Sequence, residues 1–181
     1  PTPPAEVIVV DDGSTDESRK IVTAYFPHVR LISQTNKGAC SARNAGLAET
    51  SSPAVMFLDA DDYLEGDFLG GAGRAMVTVG ADIAFAPVLL ERPNGTRRRV
   101  FHYADVPSPQ AVFGGWLTHY SQPPCSIVWR TDFARKIGGW NERVLKNQDG
   151  EIAMRAMLSE PVLTAFDNGY GVYREHGESS V

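Results

Sequence analysis

The run Val55-Met56-Phe57-Leu58, closed at once by Asp59-Ala60-Asp61-Asp62, constrains this chain more than any other stretch. Four consecutive large apolar residues with β-formers among them predict a strand buried on both faces, the kind found inside a parallel sheet. Three carboxylates then end it. In open α/β sheets the loops leaving the C-terminal strand ends form the crevice where ligands bind. Crowding three acids into four residues costs several kcal/mol of repulsion when they are partly buried, unless a cation or hydrogen-bond donors offset it. A divalent metal is the simplest such partner. Asp59 and Asp61 fall on one side of an extended backbone, and hard oxygen ligands favour Mg²⁺ or Mn²⁺ over zinc. The competing reading is an acidic loop, with Asp61 and Asp62 capping the helix that follows.

A second strand ends the same way. Glu6-Val7-Ile8-Val9-Val10 is β-branched and predicted buried, and Asp11-Asp12-Gly13-Ser14-Thr15-Asp16 follows with turn chemistry and a helix start, Ser14 or Thr15 capping. The helix runs to about Tyr25 and stops before Pro27; residues 28–33 form the next strand, giving a parallel βαβ unit. Asn36-Lys37-Gly38 then leads into a small-residue helix carrying Arg43, suited to a phosphate or carboxylate, although an exposed helical Arg is the commoner fate. After the acidic turn a helix spans Asp67 to about Val79, with Phe68, Leu69, Ala72 and Met76 as its core face.

Beyond residue 80 the pattern turns antiparallel. Ala81 to Leu90 predicts a strand bent at Pro87, with a hairpin at Asn94-Gly95 returning through Val100-Phe101-His102-Tyr103. A helix from Pro107 to Tyr120, a strand from Ser126 to Arg130 and a short helix ended by Gly138-Gly139 come next. Asp149 opens the amphipathic helix after Gln148, where an N-cap is the ordinary role. Residues 161–166 and 169–173 predict two closing strands paired as a hairpin, with His176 just past them; a lone His there is ordinary surface unless the acidic cluster lies close.

Composition excludes several classes. The 181 residues and 43% hydrophobic content predict one globular domain, and a net charge of -5 argues against a nucleic-acid partner held through phosphates. Arg97-Arg98-Arg99 reads as a solvated hairpin arm. Cys40 and Cys125 read as free thiols in a reducing compartment. No apolar run reaches the roughly 20 residues that span a bilayer, so the expectation is a soluble, cytoplasmic protein, membrane-associated only through segments outside this chain.

Taken together and in order, Val7-Ile8-Val9-Val10-Asp11-Asp12-Gly13-Ser14-Thr15-Asp16, Asn36-Lys37-Gly38 with Ala42-Arg43-Asn44-Ala45-Gly46, and Phe57-Leu58-Asp59-Ala60-Asp61-Asp62 resemble glycosyltransferase family 2. Gly138-Gly139-Trp140-Asn141-Glu142, Gln148-Asp149 and Tyr173-Arg174-Glu175-His176 add to the resemblance, which covers nearly the whole chain. It implies a GT-A fold: an α/β, αβα sandwich around one continuous mixed, mostly parallel sheet, with a nucleotide-sugar-binding half (1–80) and an acceptor-binding half (81–181). It implies an inverting transfer from a nucleoside diphosphate sugar, with UDP typical, to a hydroxyl of a saccharide, lipid or protein acceptor. Asp12 would bind the nucleobase, Asp59 the ribose, Arg43 would lie near the nucleotide, and Asp61 would ligate Mg²⁺ or Mn²⁺. Asp149 would be the general base, its basicity coming from burial or from Glu151, with His176 a ligand to metal or phosphate.

Two departures from the family pattern carry expectations of their own. Gln148 stands where an acid usually precedes the base. Five residues precede Glu6, where the family has a strand and a helix, so two interior strands are expected to have open edges. Weak donor binding, reduced stability and pairing of those edges between copies would follow. The rival functions are a nucleotidyltransferase on a related sheet, whose first loop is usually basic rather than acidic, and an inactive copy serving as a binding or assembly module.

Overall fold

The computed structural model describes residues 1–100, 103, 108–118 and 122–175. The β-branched run forms β1 (Ile8–Asp12), followed by helix α1 (Ser18–Tyr25) and β2 (Arg30–Gln34). β1 and β2 pair in parallel from Ile8↔Arg30 to Asp12↔Gln34, as the βαβ pattern requires. Neither Ser14 nor Thr15 caps α1. Glu17 is its N-cap residue without a side-chain bond, and the local acids bind the turn instead: Asp11 accepts from Ser14 N and Asp16 from Ser18 N. α1 has no buried residue and β1 is only half-buried before Asp11, so this layer is weakly packed.

Helix α2 (Ala39–Glu49) leads to β3 (Ala54–Met56), β4 (Tyr63–Gly66) and α3 (Phe68–Val79). β3 corrects the first expectation. It is three residues long, half-buried, and lies at the edge of its sheet, paired antiparallel with β8 (Ile127–Arg130) from Ala54↔Arg130 to Met56↔Val128. The apolar run leaves the ladder because the chain turns at its acids, with Asp62 N donating to the carbonyl of Asp59 at 3.1 Å. Phe57 is then free to bury against Trp140 rather than continue the strand, while Leu58 is exposed.

Pro87 divides the next apolar run into β5 (Ile83–Phe85) and β6 (Val88–Glu91), which join different sheets. β6 and β7 (Arg97–Val100) form the hairpin expected at Asn94-Gly95, with Asn94 Oδ1 accepting from Thr96 N. Part of the expected return strand and the end of the following helix fall outside the described residues; α4 spans Pro109–Leu117 under a Ser108 cap. A 3₁₀ turn (Pro124–Ser126) precedes β8; α5 (Thr131–Lys136), α6 (Gln148–Met157), β9 (Leu163–Ala165) and β10 (Gly169–Arg174) complete the chain. β9 and β10 are not a hairpin. β9 pairs in parallel with β5, whereas β10 lies between β4 and β6 in another sheet, because their partners are chosen by burial at long range and not by the short connection.

Among the described residues the ladders form a β1-β2 pair and two four-stranded sheets, β3-β8-β5-β9 and β4-β10-β6-β7; three pairings are parallel and four antiparallel. The mixed α/β architecture is thus met, with the strands divided among three ladders. Alternation along the central sheet covers both of its faces. Ile83, Phe85, Ile127 and Trp129 point to a core with Leu47, Phe133, Val112 and Ile152 from α2, α5, α4 and α6, whereas Ala84 and Val128 face Phe68, Ala72 and Met76 of α3. The small residues on the second face let α3 lie close; a Cβ on Gly71 would sit 2.7 Å from the Asn168 side chain.

Candidate functional site

The site is assembled on one helix. Gly38, at φ 89°, turns the chain into α2, and Asp12 at the end of β1 receives that turn. Its Oδ1 accepts from Gln34 Nε2 at 2.8 Å and Lys37 N at 2.9 Å, and its Oδ2 from Gly38 N at 2.8 Å. Desolvation pushes the Asp12 carboxyl up, but these hydrogen bonds outweigh it and hold it below the usual range. An open cleft of about 510 Å³ lies over this strand end, lined by Asp12, Gly13, Ser14, Thr15, Asp16 and Asn36.

About one and a half helical turns along α2, Arg43 meets the other acids. Its Nη2 donates to Asp59 Oδ1 at 2.7 Å, and its Nη1 lies 3.8 Å from Asp149 Oδ1. The guanidinium also stacks over the Trp140 ring, 4.4 Å from the centroid. Residues from α2, the acidic turn, the loop before α6 and α6 itself therefore converge on a single cation. Asp61 stands exposed at the tip of the same acidic turn. His176 lies outside the described residues.

Asp149 is in the first turn of α6, not its cap: Asn147 holds the N-cap position in the left-handed region (φ 54°), and the Asp149 side chain turns to Arg43. Its Oδ1 has no solvent contact and no hydrogen bond. Burial raises the Asp149 pKa above the ordinary carboxylate value, Arg43 opposes that rise, and the Asp59 charge adds to it. Glu151 plays no part in this. It is paired with Arg155 at 2.7 Å, which holds its own pKa down.

Two residues not singled out from the sequence hold this arrangement. Asn44, next to Arg43, donates to Trp140 O and Glu142 Oε1, each at 2.9 Å, and accepts from Trp140 N at 2.8 Å. Arg155 of α6 donates to the carbonyls of Ile137 and of Gly139, the latter at 2.8 Å. The glycine-tryptophan loop is thus fastened to α2 on one side and to α6 on the other. The sequence signals were the Ala42 to Gly46 and Gly138 to Glu142 stretches themselves, since a side chain bonding a backbone so distant in sequence leaves no periodicity to read.

Among the described residues no three acidic, histidine or cysteine side chains converge closely enough to enclose a metal. Asp59 is engaged by Arg43 and Asp62 is turned inward, so Asp61 is the exposed carboxylate of the turn, and any further oxygen donors would come from substrate and water. That arrangement fits Mg²⁺ or Mn²⁺, which bind through one or two carboxylates and complete their octahedron with substrate phosphates and water.

The family model described as "Glycosyl transferase family 2" matches residues 1–135. The uncharacterized glycosyltransferase YibD of Escherichia coli is 48% identical over 60 residues, 32% of this chain and 17% of that protein. The glycosyltransferase GlyA of Streptococcus pneumoniae is 39% identical over 82 residues, 44% of this chain and 12% of that protein. In three dimensions the chain is similar to S. aureus TarS 1-349 in its complex with UDP-GlcNAc, with a TM-score of 0.72 at 24% identity over 97% of this chain and 52% of that one. That likeness shows a shared GT-A fold. The chain spans about half the length of TarS 1-349 and matches less than a fifth of these two relatives.

Proposed function

The chain belongs to glycosyl transferase family 2, and from that premise we propose that it moves a sugar from a UDP-sugar to an acceptor hydroxyl, with inversion at the anomeric carbon. The observation that carries the reading is Arg43 standing between Asp59 and Asp149. That contact joins the acidic turn, in the half expected to bind the donor, to an acid of the second half that burial has made more basic. The UDP-GlcNAc held by TarS, on the same fold, supports the choice of donor.

Asp12 and the cleft beside it take the nucleotide end of the donor, and Asp59 the ribose, with Arg43 alongside. Asp149 accepts the proton of the acceptor hydroxyl while that oxygen bonds to the anomeric carbon and the bond to the diphosphate oxygen breaks. Arg43 keeps the base ionised and oriented. Asp61 would hold a Mg²⁺ or Mn²⁺, and His176 would be a further ligand to metal or phosphate; the ion would supply charge stabilisation to the departing diphosphate.

The test is UDP release from a panel of UDP-sugars, with and without Mn²⁺, together with the anomeric configuration of the product by NMR. Metal-dependent turnover with inversion, lost in Asp149→Asn, is expected. A variant that turns over as fast as the wild type removes Asp149 from the mechanism.

A further inference from the structure

Asp62 stands apart from its neighbours in the acidic turn. It is only 8% exposed. Its Oδ1 accepts from the backbone N–H of Arg174, at the end of β10, at 3.0 Å. Its Oδ2 is shut off from solvent and has no hydrogen-bond partner. The Cys125 thiol lies beside the carboxylate, kept protonated by burial and by the Asp62 charge. The Asp62 backbone N–H meanwhile closes the turn on Asp59 O. One residue thus joins three segments that are far apart along the chain.

The packing behind it leaves no slack. A Cβ on Gly171 would lie 2.2 Å from the Cys125 carbonyl oxygen, so β10 rests directly on the Pro124–Ser126 turn. Side chains alternate along a strand, so Tyr173 leaves β10 on the same face as Gly171, toward Cys125 and Asp62. Burial, and then the charges of Asp62, Asp61 and Asp59, raise the pKa of its phenol. The Asp62 to Arg174 bond grips the residue immediately after Tyr173.

We propose that Asp62 is a positioning residue that locks the Asp59–Asp61 turn to the end of β10 and so presents Asp61 and Tyr173 together to the diphosphate of the donor. The inference rests on the sugar-nucleotide reading above. Removing the side chain leaves the Arg174 N–H unpaired and frees the turn, whereas Asp62→Asn keeps an acceptor oxygen for that N–H and turns its amide toward the Cys125 sulfur.

The experiment is isothermal titration of UDP with Mn²⁺ into the wild type, Asp62→Ala, Asp62→Asn and Met76→Ala. Met76 is a core residue of α3, packed on the face of the central sheet that carries Ala84 and Val128, and its truncation serves as a control for lost stability. Asp62→Ala should weaken UDP·Mn²⁺ binding by about 10-fold or more, the scale of one hydrogen bond to a charged group. Asp62→Asn should stay within a few-fold of the wild type and Met76→Ala should match it. Wild-type affinity in Asp62→Ala overturns the positioning role while leaving the sugar-nucleotide reading intact. So does an equal loss in Asp62→Asn, or a loss in Met76→Ala that tracks its melting temperature. If the wild type itself binds no UDP with Mn²⁺, the sugar-nucleotide reading falls and this inference with it.

Discussion

Arg43 serves two carboxylates with one guanidinium, and its planar fork is what lets it do so. Arg43→Lys keeps the charge but cannot meet Asp59 and Asp149 together while stacking on Trp140. We expect kcat/KM to fall on the order of 10²-fold, as when a catalytic group is misplaced by about an ångström; initial-rate kinetics of UDP release check it. Asp149→Asn should cost about 10²- to 10⁴-fold, the usual worth of a general base. Because the pKa of Asp149 is raised in the fold, the acid limb of the wild-type kcat/KM profile should lie above the ordinary aspartate range. The same shift has a stability sign. Its contribution is present below the unfolded-state pKa and is lost as pH rises through the raised folded value, so the melting temperature of Asp149→Asn relative to wild type should climb as pH rises above the ordinary aspartate value of about 4. A flat difference above that value would show that the fold does not disfavour the Asp149 charge. Asp12, Asp59, Asp61 and Asp149 stand out as candidates in the sequence because acids at strand and helix ends are local signals. Asp62 and Trp140 lie in stretches the sequence also marks, but their contacts are not legible there, since those are made across the molecule.

At the scale of elements, the loop from Ile137 to Glu142 is held by side chains at both flanks, Asn44 from α2 and Arg155 from α6. Gly139, at φ 62°, is where that fastening tolerates no side chain: a Cβ would lie 2.6 Å from Asn44 Oδ1. Asn44→Ala strips the Trp140 backbone of two partners and should cost about 1–3 kcal/mol, seen as about 2–4 °C of melting temperature for each kcal/mol. Gly139→Ala should act in the same direction with a larger loss of UDP-sugar turnover than of stability, because it also displaces the ring beneath Arg43. Differential scanning fluorimetry beside UDP-release rates separates the two effects. The Asn94-Gly95 hairpin could be read from its turn residues alone. The closing strands could not. Phe166-Asp167-Asn168 looks like a short hairpin loop, yet β9 and β10 part there to join different sheets, a choice made by distant partners. The edge position of β3 was hidden for the same reason, since an apolar run says that a strand is covered but not which way its neighbour runs.

Across the whole molecule the packing is uneven. Ile83 and Ala84 are wholly buried, whereas α1 buries nothing, and the free edges of β1 and β3 have no ladder partner among the described residues. The two strands nevertheless begin side by side, since Glu6, just ahead of β1, accepts from both N and Oγ of Ser51, just ahead of β3. Hydrogen exchange should therefore be slowest at Ile83–Phe85 and fastest in α1, β1 and β2; uniform protection would contradict this layering. Unpaired strand edges also favour self-association, which sedimentation velocity over a wide concentration range would reveal as a rising mean mass. α2 has the opposite character. Its entry is pinned by Asp12, its middle carries Arg43 and Asn44, and the carbonyls of Leu47, Ala48 and Thr50 at its exit are held by Arg135. A helix fixed at so many points leaves little freedom for drift: changes that retune donor preference there would disturb proton removal as well. The exposed strand β7, by contrast, can take substitutions without moving Arg43.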